Sequence, residues 1–336
     1  MNPFDGASRT ISIVLFSILF VAASVLATDP ESILIFDHGP VYFAPDTSII
    51  ETGAVTHEDR GRVVVRTIDL PEITEPTRIT ARLTIHPLPK DDVSVYDPWD
   101  RAGDIRLATA DSTDIQIVKF ITSYGGMTDY EVDVSQLAPL LQGECTIKAS
   151  IDTWLNPAWE IDFTLRFETD TSLNPPTWAA PLFLDKSFDR ARADSGGVAG
   201  TVIIPANIKR VKMYYLTSGH CTDGRDADEF VSKDNVLSVD SAVVYRYRPW
   251  RDDCRQFRDV NPYTRRWSDG WWSSDYSRSG WCPGDIVSPL ELDLTDHLTP
   301  GAHSVRAMIE NIRPKGKDNQ FGYWRVSAYV VGWTEK

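Results

Sequence analysis

Length, composition and charge narrow the functions open to this chain. It has 336 residues, 42% of them hydrophobic, which is enough for two ordinary domains with full cores. Its net charge of −14 at pH 7 argues against nucleic acid or an anionic membrane surface as a partner, because phosphate binding requires a basic face.

Residues 1–27 have the pattern of a secretory signal peptide. Arg9 gives a positive flank, residues 11–26 form an apolar run, and Val25-Leu26-Ala27 is a small-residue cleavage site. A retained membrane anchor is the alternative, although the run is short for a spanning helix. In either case we expect the body of the protein outside the cytoplasm, secreted or periplasmic. It should have no membrane contact once the signal is removed.

Short β-branched and aromatic runs dominate the rest of the chain, and helical periodicity is scarce. Many runs alternate apolar and polar residues, as in Arg210-Val211-Lys212-Met213-Tyr214, which is typical of antiparallel sheets with one solvated face. The many strands and the lack of βα alternation predict an all-β protein of the sandwich or jelly-roll type. The predicted strands are 62–68, 78–85, 115–121, 130–134, 146–151, 161–167, 200–204, 210–216, 242–247, 290–294, 304–309 and 324–331.

A short internal repeat indicates two copies of one architecture. Residues 131–135 read Glu-Val-Asp-Val-Ser, and residues 291–295 read Glu-Leu-Asp-Leu-Thr. A glycine and a returning strand follow each copy, with Ile-Lys-Ala at 147–149 and Val-Arg-Ala at 305–307. Chance similarity of two hairpins is the alternative. We interpret the repeat as two tandem related domains.

The boundary between these domains is predicted where the chain cannot continue a sheet. Asn174-Pro175-Pro176 lies between two strand-rich regions, and consecutive prolines remove the backbone donors that a sheet needs. The predicted organisation is a signal peptide at 1–27, an N-terminal jelly-roll domain at 28–172, a linker at 173–181 and a C-terminal jelly-roll domain at 182–336.

Residues 251–284 have the composition of a long irregular loop. They interleave arginines with tryptophans and contain few aliphatic residues, a surface suited to stacking on a sugar and to binding its hydroxyls. In an exported protein we expect a disulfide between Cys254 and Cys282, closing this loop. Cys145 and Cys221 could pair with each other or stay free. The tryptophans in and next to the loop are Trp250, Trp267, Trp271, Trp272 and Trp281.

The histidines give no sequence signature of a metal site. The six of them form no His-x-His or i, i+4 pair, so a transition-metal site would need distant residues to converge. This argues against the copper monooxygenases, which also use double jelly rolls. No Gly-x-Ser-x-Gly elbow or phosphate loop is present. The sequence therefore predicts neither a metal nor an organic cofactor.

Carboxylates remain as candidates for chemistry. Asp100 lies between Trp99 and Arg101, and Asp152 lies two residues before Trp154. Taken singly, each is also compatible with a turn carboxylate in a surface ion pair. Glu229 follows a polar loop that begins near His220.

Taken together in chain order, these segments resemble the peptide-N-glycosidase F type of amidase. The resemblance extends over nearly the whole chain after the signal peptide. Arg278-Ser279-Gly280-Trp281-Cys282-Pro283-Gly284 is its most specific part. The other matching segments are Trp99-Asp100-Arg101, Phe120-Ile121-Thr122-Ser123-Tyr124, Asp152-Thr153-Trp154, Ser218-Gly219-His220, Ala227-Asp228-Glu229-Phe230, Asp253-Cys254 and Asn261-Pro262.

The resemblance implies two jelly-roll domains with a site at their interface, and hydrolysis of the amide that joins asparagine to N-acetylglucosamine. The implied partners are N-glycosylated proteins or glycopeptides, with no metal or cofactor, and we expect a monomer. The resemblance implies that Asp100 activates water, with Arg101 keeping it ionised, and that Glu229 orders water or relays a proton. Asp152 would contact sugar hydroxyls, and Arg278 would bind the carbonyl or the first sugar. The other implied substrate-binding residues are Arg101, Trp99, Trp154, Trp281 and His220.

Departures from the family pattern leave other functions open. Asp152 stands where the family has a glutamate, and the paired cysteines that flank the second essential acid are missing around Glu229. A non-catalytic carbohydrate-binding or adhesion protein on the same scaffold is the alternative. An amidase acting on another amide substrate is a third possibility.

Overall fold

The computed structural model describes residues 30–46, 50–52, 54–110, 113–222, 227–317 and 320–335. The predicted signal peptide lies outside them. None of the helices in this part of the chain combines the length and apolar character needed to span a membrane.

One α-helix, α1, covers Arg190–Asp194, and 3-10 turns cover Asp59–Gly61, Ser135–Leu137, Cys254–Val260 and Ser273–Asp275. The strands are β1 (Glu31–Val41), β2 (Ile50–Thr52), β3 (Val55–Glu58), β4 (Val63–Leu70), β5 (Thr77–Pro87), β6 (Pro89–Asp91), β7 (Ser94–Val95), β8 (Ala102–Leu107), β9 (Ile115–Ile121), β10 (Thr128–Asp133), β11 (Gly143–Ile151), β12 (Trp159–Thr169), β13 (Trp178–Phe188), β14 (Val198–Ile204), β15 (Arg210–His220), β16 (Asn235–Val239), β17 (Ala242–Tyr247), β18 (Leu290–Asp293), β19 (Gly301–Ile309) and β20 (Tyr323–Trp333).

The N-terminal half forms a sandwich of two antiparallel sheets. One sheet has the order β1-β12-β5-β10, and the other has the order β2-β3-β4-β11-β8-β9. Strand β12 buries every second side chain from Trp159 to Phe167. Its residues Ile161 and Phe163 lie in the same apolar core as Ile147 of the facing sheet. Each fully buried side chain of this size contributes about 1.5–3 kcal/mol, so the alternation in the sequence holds the two sheets together.

The C-terminal half repeats this architecture with four strands in each sheet. The orders are β13-β20-β15-β18 and β14-β19-β16-β17. Met213, Val330, Leu237 and Val305 belong to one core between the two sheets. The predicted all-β fold with two tandem jelly rolls is confirmed.

Every strand predicted from the sequence is present, within a few residues at its ends. The longer strands that the prediction missed are β1, β8, β13 and β16. Asp37-His38-Gly39 interrupts the pattern of β1, and Pro181 interrupts that of β13. Strand β13 begins at Trp178, inside the segment predicted as a linker, so the irregular connection after β12 covers residues 170–177.

The two sandwiches pack against each other through β9 and β20. All residues of β9 are buried, because one face packs in the N-terminal core and the other meets the C-terminal domain. The ammonium of Lys119 donates to the carbonyl of Arg325 at 2.8 Å, and Ser327 donates to Gln116 at 2.5 Å. These buried contacts fix the docking of the domains and bring their loops together at one end.

Candidate active site

A single arginine joins acids from both domains. Nη2 of Arg278 lies 3.8 Å from Oδ2 of Asp100, which belongs to the N-terminal domain and immediately precedes Arg101 and β8. Nε of Arg278 donates to Glu229 of the C-terminal domain at 3.1 Å. Nη2 also lies 3.4 Å from the hydroxyl of Tyr124. We call these four residues the Arg278 cluster.

The guanidinium of Arg278 is held from several sides. It donates to the carbonyl of Tyr276 at 3.0 Å and to that of Ser273 at 2.7 Å. The rings of Phe230 and Trp281 lie 5.1 Å and 4.8 Å from its Cζ atom. The side chain is only 1% exposed. This burial leaves little surface for the direct contact with a sugar or carbonyl that the resemblance implies, and the guanidinium lies between the two acids.

Burial gives Asp100 an unusual protonation equilibrium. The pKa of its carboxyl is raised to about 7, chiefly by removal from water and also by the negative charge of Glu229. The charge of Arg278 and a hydrogen bond from Tyr124 act in the opposite direction and limit the rise. Arg101 is the weakest of these influences on the pKa. The residue expected to keep Asp100 ionised is therefore secondary to Arg278. A carboxyl that titrates near neutrality is suited to accepting a proton from water.

Asp97 fixes the loop that carries Asp100. It is fully buried and accepts from Nε of Arg101 at 2.9 Å and from Nη2 at 3.0 Å. It also accepts from the hydroxyl of Thr153 at 2.6 Å, which ties this loop to the one that carries Asp152. Nε and Nη2 of Arg101 are thus bonded to Asp97 within the protein. This geometry fits a residue that supports the loop better than one that contacts the substrate.

Backbone hydrogen bonds position Glu229 without a disulfide nearby. The carbonyl of Cys221 accepts from the amides of Asp228 and Glu229 at 3.0 Å and 3.1 Å, and Ser279 donates to the carbonyl of Glu229 at 2.9 Å. Cys221 itself adopts a left-handed conformation with φ of 58°. These bonds hold the backbone of Glu229 in place beside Arg278.

Asp152 lies at the solvent side of the same region. Its side chain is 42% exposed, and its Oδ2 accepts from Arg325 at 3.1 Å. The charges of all three acids influence the pKa of the thiol of Cys221. Its surroundings raise its pKa to about 11, first through desolvation and then through the charges of Glu229, Asp100 and Asp152. Asp152 therefore contacts the C-terminal domain through Arg325, whereas Asp100 and Glu229 meet at Arg278.

His220 and Trp281 are buried residues that pack beneath the Arg278 cluster, on its side away from solvent. His220 is buried and bonds to the hydroxyl of Ser218 at 2.7 Å, with its ring stacked on Trp281 and Tyr323. Burial lowers the pKa of His220 well below its ordinary value, so the imidazole stays neutral. Trp281 is 3% exposed and donates to the carbonyl of Gly219 at 2.7 Å. Neither residue offers a free face to a sugar, so substrate contact by these two does not fit the structure.

Exposed aromatic rings surround the Arg278 cluster. Trp99 is 43% exposed, and the guanidinium of Arg265 lies 4.9 Å from its ring. Trp154 is 59% exposed, with the guanidinium of Arg62 4.0 Å from its ring. A pocket of about 350 Å³ lies beside the cluster. Its lining residues are Pro98, Trp99, Tyr124, Tyr263, Arg265, Arg266, Trp267 and Ser273.

The predicted disulfide closes the loop that carries Arg278. Cys254 and Cys282 are bonded, with their Cα atoms 5.1 Å apart. Cys145 is a buried free thiol and Cys221 an exposed one, which resolves the alternative left open by the sequence. Most tryptophans of this loop are exposed beside arginines, as its composition indicated, and Trp281 is the exception.

Comparison with known proteins finds similarity to one family of amidases. The family described as "Peptide-N-glycosidase F, C terminal" matches residues 189–331. The chain is also 23% identical over 278 residues to peptide-N(4)-(N-acetyl-beta-D-glucosaminyl)asparagine amidase F of Elizabethkingia miricola, covering 77% of this chain and 76% of that protein. The chain is therefore similar to the peptide-N-glycosidase F family, and the family model covers most of its C-terminal half.

Solved structures related to this family share the fold. PNGF-II is similar with a TM-score of 0.80 at 23% identity over 90% of this chain. The match covers 66% of the PNGF-II chain, so the present chain spans just under two thirds of that protein. Recombinant peptide: N-glycanase F is similar with a TM-score of 0.70 at 17% identity, covering 92% of this chain and 97% of that one. At these identities the likeness establishes a common two-domain β architecture.

Proposed function

We propose that this protein belongs to the peptide-N-glycosidase F family and hydrolyses the amide between an asparagine side chain and the first N-acetylglucosamine of an N-linked glycan. The products are aspartate in the peptide and a glycosylamine. The main support is that two acids from opposite domains lie beside the guanidinium of Arg278. Oδ2 of Asp100 is 3.8 Å from Nη2, and Oε1 of Glu229 is 3.1 Å from Nε. The amidase activity in the name of the Elizabethkingia relative supports the same reaction.

The reaction begins with water activation in this proposal. The oxygen of a water molecule forms a bond to the amide carbon while Asp100 accepts a proton from it. The C–N bond then breaks, and the leaving nitrogen takes up a proton. Glu229 orders the water or relays this proton from the other side of the cluster. Arg278 allows both carboxylates to remain close together, because its charge offsets their repulsion.

Recognition of the sugar is assigned to the solvent-exposed groups. The ring of Trp99 borders the pocket beside Asp100, and Trp154 stands next to the loop of Asp152. An aromatic face stacks on the C–H groups of a pyranose, and a carboxylate accepts from its hydroxyls. Asp152 is 42% exposed and so remains available for such contacts although it is paired with Arg325.

The decisive experiment uses Asp100→Asn and a denatured N-glycoprotein. The wild-type protein should release the glycan and convert the linked asparagine to aspartate, which mass spectrometry of the peptide detects. Asp100→Asn should abolish both changes while its circular dichroism spectrum stays the same. Asp240→Asn, an exposed acid in the C-terminal domain, is the matched control and should retain activity.

The same experiment separates catalysis from binding. Retention of a glycopeptide by the wild-type protein without any conversion of asparagine would support a carbohydrate-binding protein and contradict the proposed reaction. Full glycan release by Asp100→Asn would instead remove Asp100 from the mechanism.

We also propose that the protein is exported. The apolar run of residues 11–26 and the disulfide between Cys254 and Cys282 support this location. Expression of the full chain in a bacterial host and mass determination of the periplasmic or secreted product provide the test. A product that begins at Thr28 supports export with cleavage, and retention in the cytoplasm contradicts it.

A further inference from the structure

Two histidines and two acids from distant parts of the sequence meet on the outer face of the N-terminal sandwich. His38 lies on β1, His86 on β5, and Asp162 and Glu160 on β12 between them. Oδ2 of Asp162 lies 2.8 Å from Nε2 of His86, and Oε2 of Glu160 lies 3.1 Å from Nδ1 of His38. The potential ligand atoms of His38, His86 and Asp162 all lie within 4.8 Å of one another.

The strands themselves place these side chains together. Glu160 pairs directly with His86 in the register of β12 and β5, so both point to the same face. Asp162 lies two residues further along β12 and therefore faces the same way. The opposite face of β12, which carries Trp159 and Ile161, is buried in the core of the sandwich. The outer face thus carries the polar set on rigid strands.

An irregularity in the edge strand brings the fourth side chain into the group. Strand β1 is shifted in register between Phe36 and Gly39, and His38 within this bulge has a φ of 48°. Histidine adopts this left-handed region uncommonly, and a β-bulge is a known means of re-aiming a side chain. The amide of His38 donates to Oδ1 of Asp162 at 2.6 Å, which orients that carboxylate and leaves Oδ2 directed at His86.

The dimensions of this group fit a tetrahedral metal ion. Metal–nitrogen and metal–oxygen bonds of about 2.0–2.1 Å place neighbouring ligands about 3.3 Å apart. Nε2 of His86 lies 2.8 Å from Oδ2 of Asp162, and Nδ1 of His38 lies 3.9 Å from Oδ1 of Asp162 and 3.1 Å from Oε2 of Glu160. These separations lie on either side of that value, so small side-chain rotations bring the atoms to it. The side chains are between 26% and 60% exposed, so an ion can reach them from solvent.

We propose that His38, His86 and Asp162 form a zinc-binding site, with Glu160 beside His38 as an additional acid. Imidazole nitrogens with carboxylates suit Zn²⁺ and similar borderline ions, whereas Ca²⁺ and Mg²⁺ prefer a shell of oxygens. The two acids supply the charge that compensates the ion. The bound ion joins edge strand β1 to β12 and β5, so it acts as a clamp on the first strand of the sandwich rather than as a catalyst.

Binding is measured on tag-free protein freed of metal by EDTA and then dialysed. Isothermal titration with ZnCl₂ at pH 7.5 should show one equivalent bound with micromolar affinity or better. At 100 times the dissociation constant, the melting temperature should rise by about 5–10 °C, because a ligand that binds only the folded state stabilises it by mass action. CaCl₂ and MgCl₂ should give neither effect.

Variants separate a metal site from a simple ion pair. His38→Asn tolerates the left-handed backbone and removes the imidazole, and His86→Gln removes the second nitrogen ligand. Each should weaken zinc binding at least tenfold and remove the thermal shift. His303→Asn is the matched control, since His303 forms a 2.7 Å pair with Asp240 at the surface, and it should bind zinc as the wild type does.

Three results of the zinc titrations would contradict the proposed site. No zinc bound by the wild-type protein at 100 µM metal would show that the group is a histidine–carboxylate ion pair only. Unchanged binding in both His38→Asn and His86→Gln would place any zinc elsewhere on the molecule. Loss of binding in the control His303→Asn alone would have the same meaning.

Discussion

Arg278 of the C-terminal domain lies 3.8 Å from the carboxylate of Asp100 in the N-terminal domain. The two residues come into contact only because the sandwiches are docked through β9 and β20, where Lys119 and Gln116 bond to the opposite domain. The candidate active site is therefore a property of the domain interface. A change that loosens this interface should reduce activity even when each domain remains folded.

Substitution of Arg278 by lysine tests the positioning role. Lysine keeps the charge but lacks the planar fork that bonds to Glu229, Tyr276 and Ser273 at the same time. Breaking a buried ion pair costs about 3–5 kcal/mol, and a misplaced catalytic group loses about 100-fold in rate. We therefore expect Arg278→Lys to lower kcat by about 100-fold or more and to lower the free energy of unfolding, as measured by glycopeptide kinetics and thermal melting.

The control for this arginine is an exposed one in the N-terminal domain. Arg82 pairs with Glu131 at 3.1 Å, and both side chains are at least half exposed. Arg82→Lys should change stability by less than about 1 kcal/mol and leave kcat unchanged. Equal losses in the two variants would contradict a special role for Arg278.

The raised pKa of Asp100 predicts the pH dependence of the reaction. As the proton acceptor, the carboxyl must be ionised, and its pKa is raised to about 7 by burial. The value of kcat/KM should therefore increase between pH 6 and pH 8 with a midpoint near 7, and reach a plateau above it. Because the charge of Glu229 contributes to the raised pKa, residual activity of Glu229→Gln should show a lower midpoint. A rate that falls over the same pH range would instead assign Asp100 as the acid.

The same pKa has a consequence for stability. The carboxyl titrates near 7 in the folded protein and near 3.9 in the unfolded chain. Its contribution is therefore most favourable below about pH 4 and is lost as the pH rises through 7, by on the order of 2–4 kcal/mol. Asp100→Asn cannot ionise and avoids this loss. Its melting temperature relative to wild type should be higher at pH 8 than at pH 4, and an equal difference at both values would contradict burial as the cause.

Local patterns were sufficient to predict most of the architecture. Alternation identified β12, because one of its faces is buried and the other is partly solvated. It also identified the start of β15, which alternates from Arg210 to Met213 before both faces become buried. Cysteine spacing and composition identified the loop that is closed by Cys254 and Cys282. Resemblance to the family named Asp100, Glu229 and Arg278, which the structure brings together.

Other features depended on packing that no local pattern encodes. Trp281 resembles an exposed loop aromatic in the sequence, yet it is buried by a contact with His220. The convergence of His38 with His86 depends on a bulge in β1 and on strand order, and neither can be read from the spacing of histidines. The burial of Arg278 likewise follows from the carbonyls that surround it in the folded loop.

Asp97 offers a test of how the loop of Asp100 is held. Asp97→Asn removes the charge that pairs with Arg101 and leaves that guanidinium with a neutral partner in a buried setting. We expect a loss of about 3–5 kcal/mol in the free energy of unfolding. If the protein still folds, kcat should fall while KM changes little, because the position of Asp100 is disturbed and the sugar-binding groups are not. Asp97→Asn with wild-type stability and kcat would contradict this account.

The disulfide is expected to stabilise both the fold and the site. It closes a loop with a sequence separation of 28, which constrains the unfolded chain by about 3–4 kcal/mol. The double variant Cys254→Ser, Cys282→Ser should melt at lower temperature and lose activity, because the loop carries Arg278. Cys145→Ser, a change at a buried free thiol, is the control and should retain activity. Reduction with dithiothreitol should reproduce the double variant, and unaffected activity after complete reduction would show that the loop is held by its packing alone.

Asp152→Glu tests whether the shorter acid limits the enzyme. The side chain is 42% exposed and bonded to Arg325 at its rim, so one more methylene can be accommodated towards solvent without crowding the core. If the carboxylate binds sugar hydroxyls, Asp152→Glu should keep or raise kcat/KM, whereas Asp152→Asn should raise KM. Stability should change by less than about 1 kcal/mol in both variants, since a partly exposed ion pair contributes little. A loss of activity in Asp152→Glu equal to that in Asp152→Asn would mean that the bond to Arg325, rather than contact with the glycan, is what this residue provides.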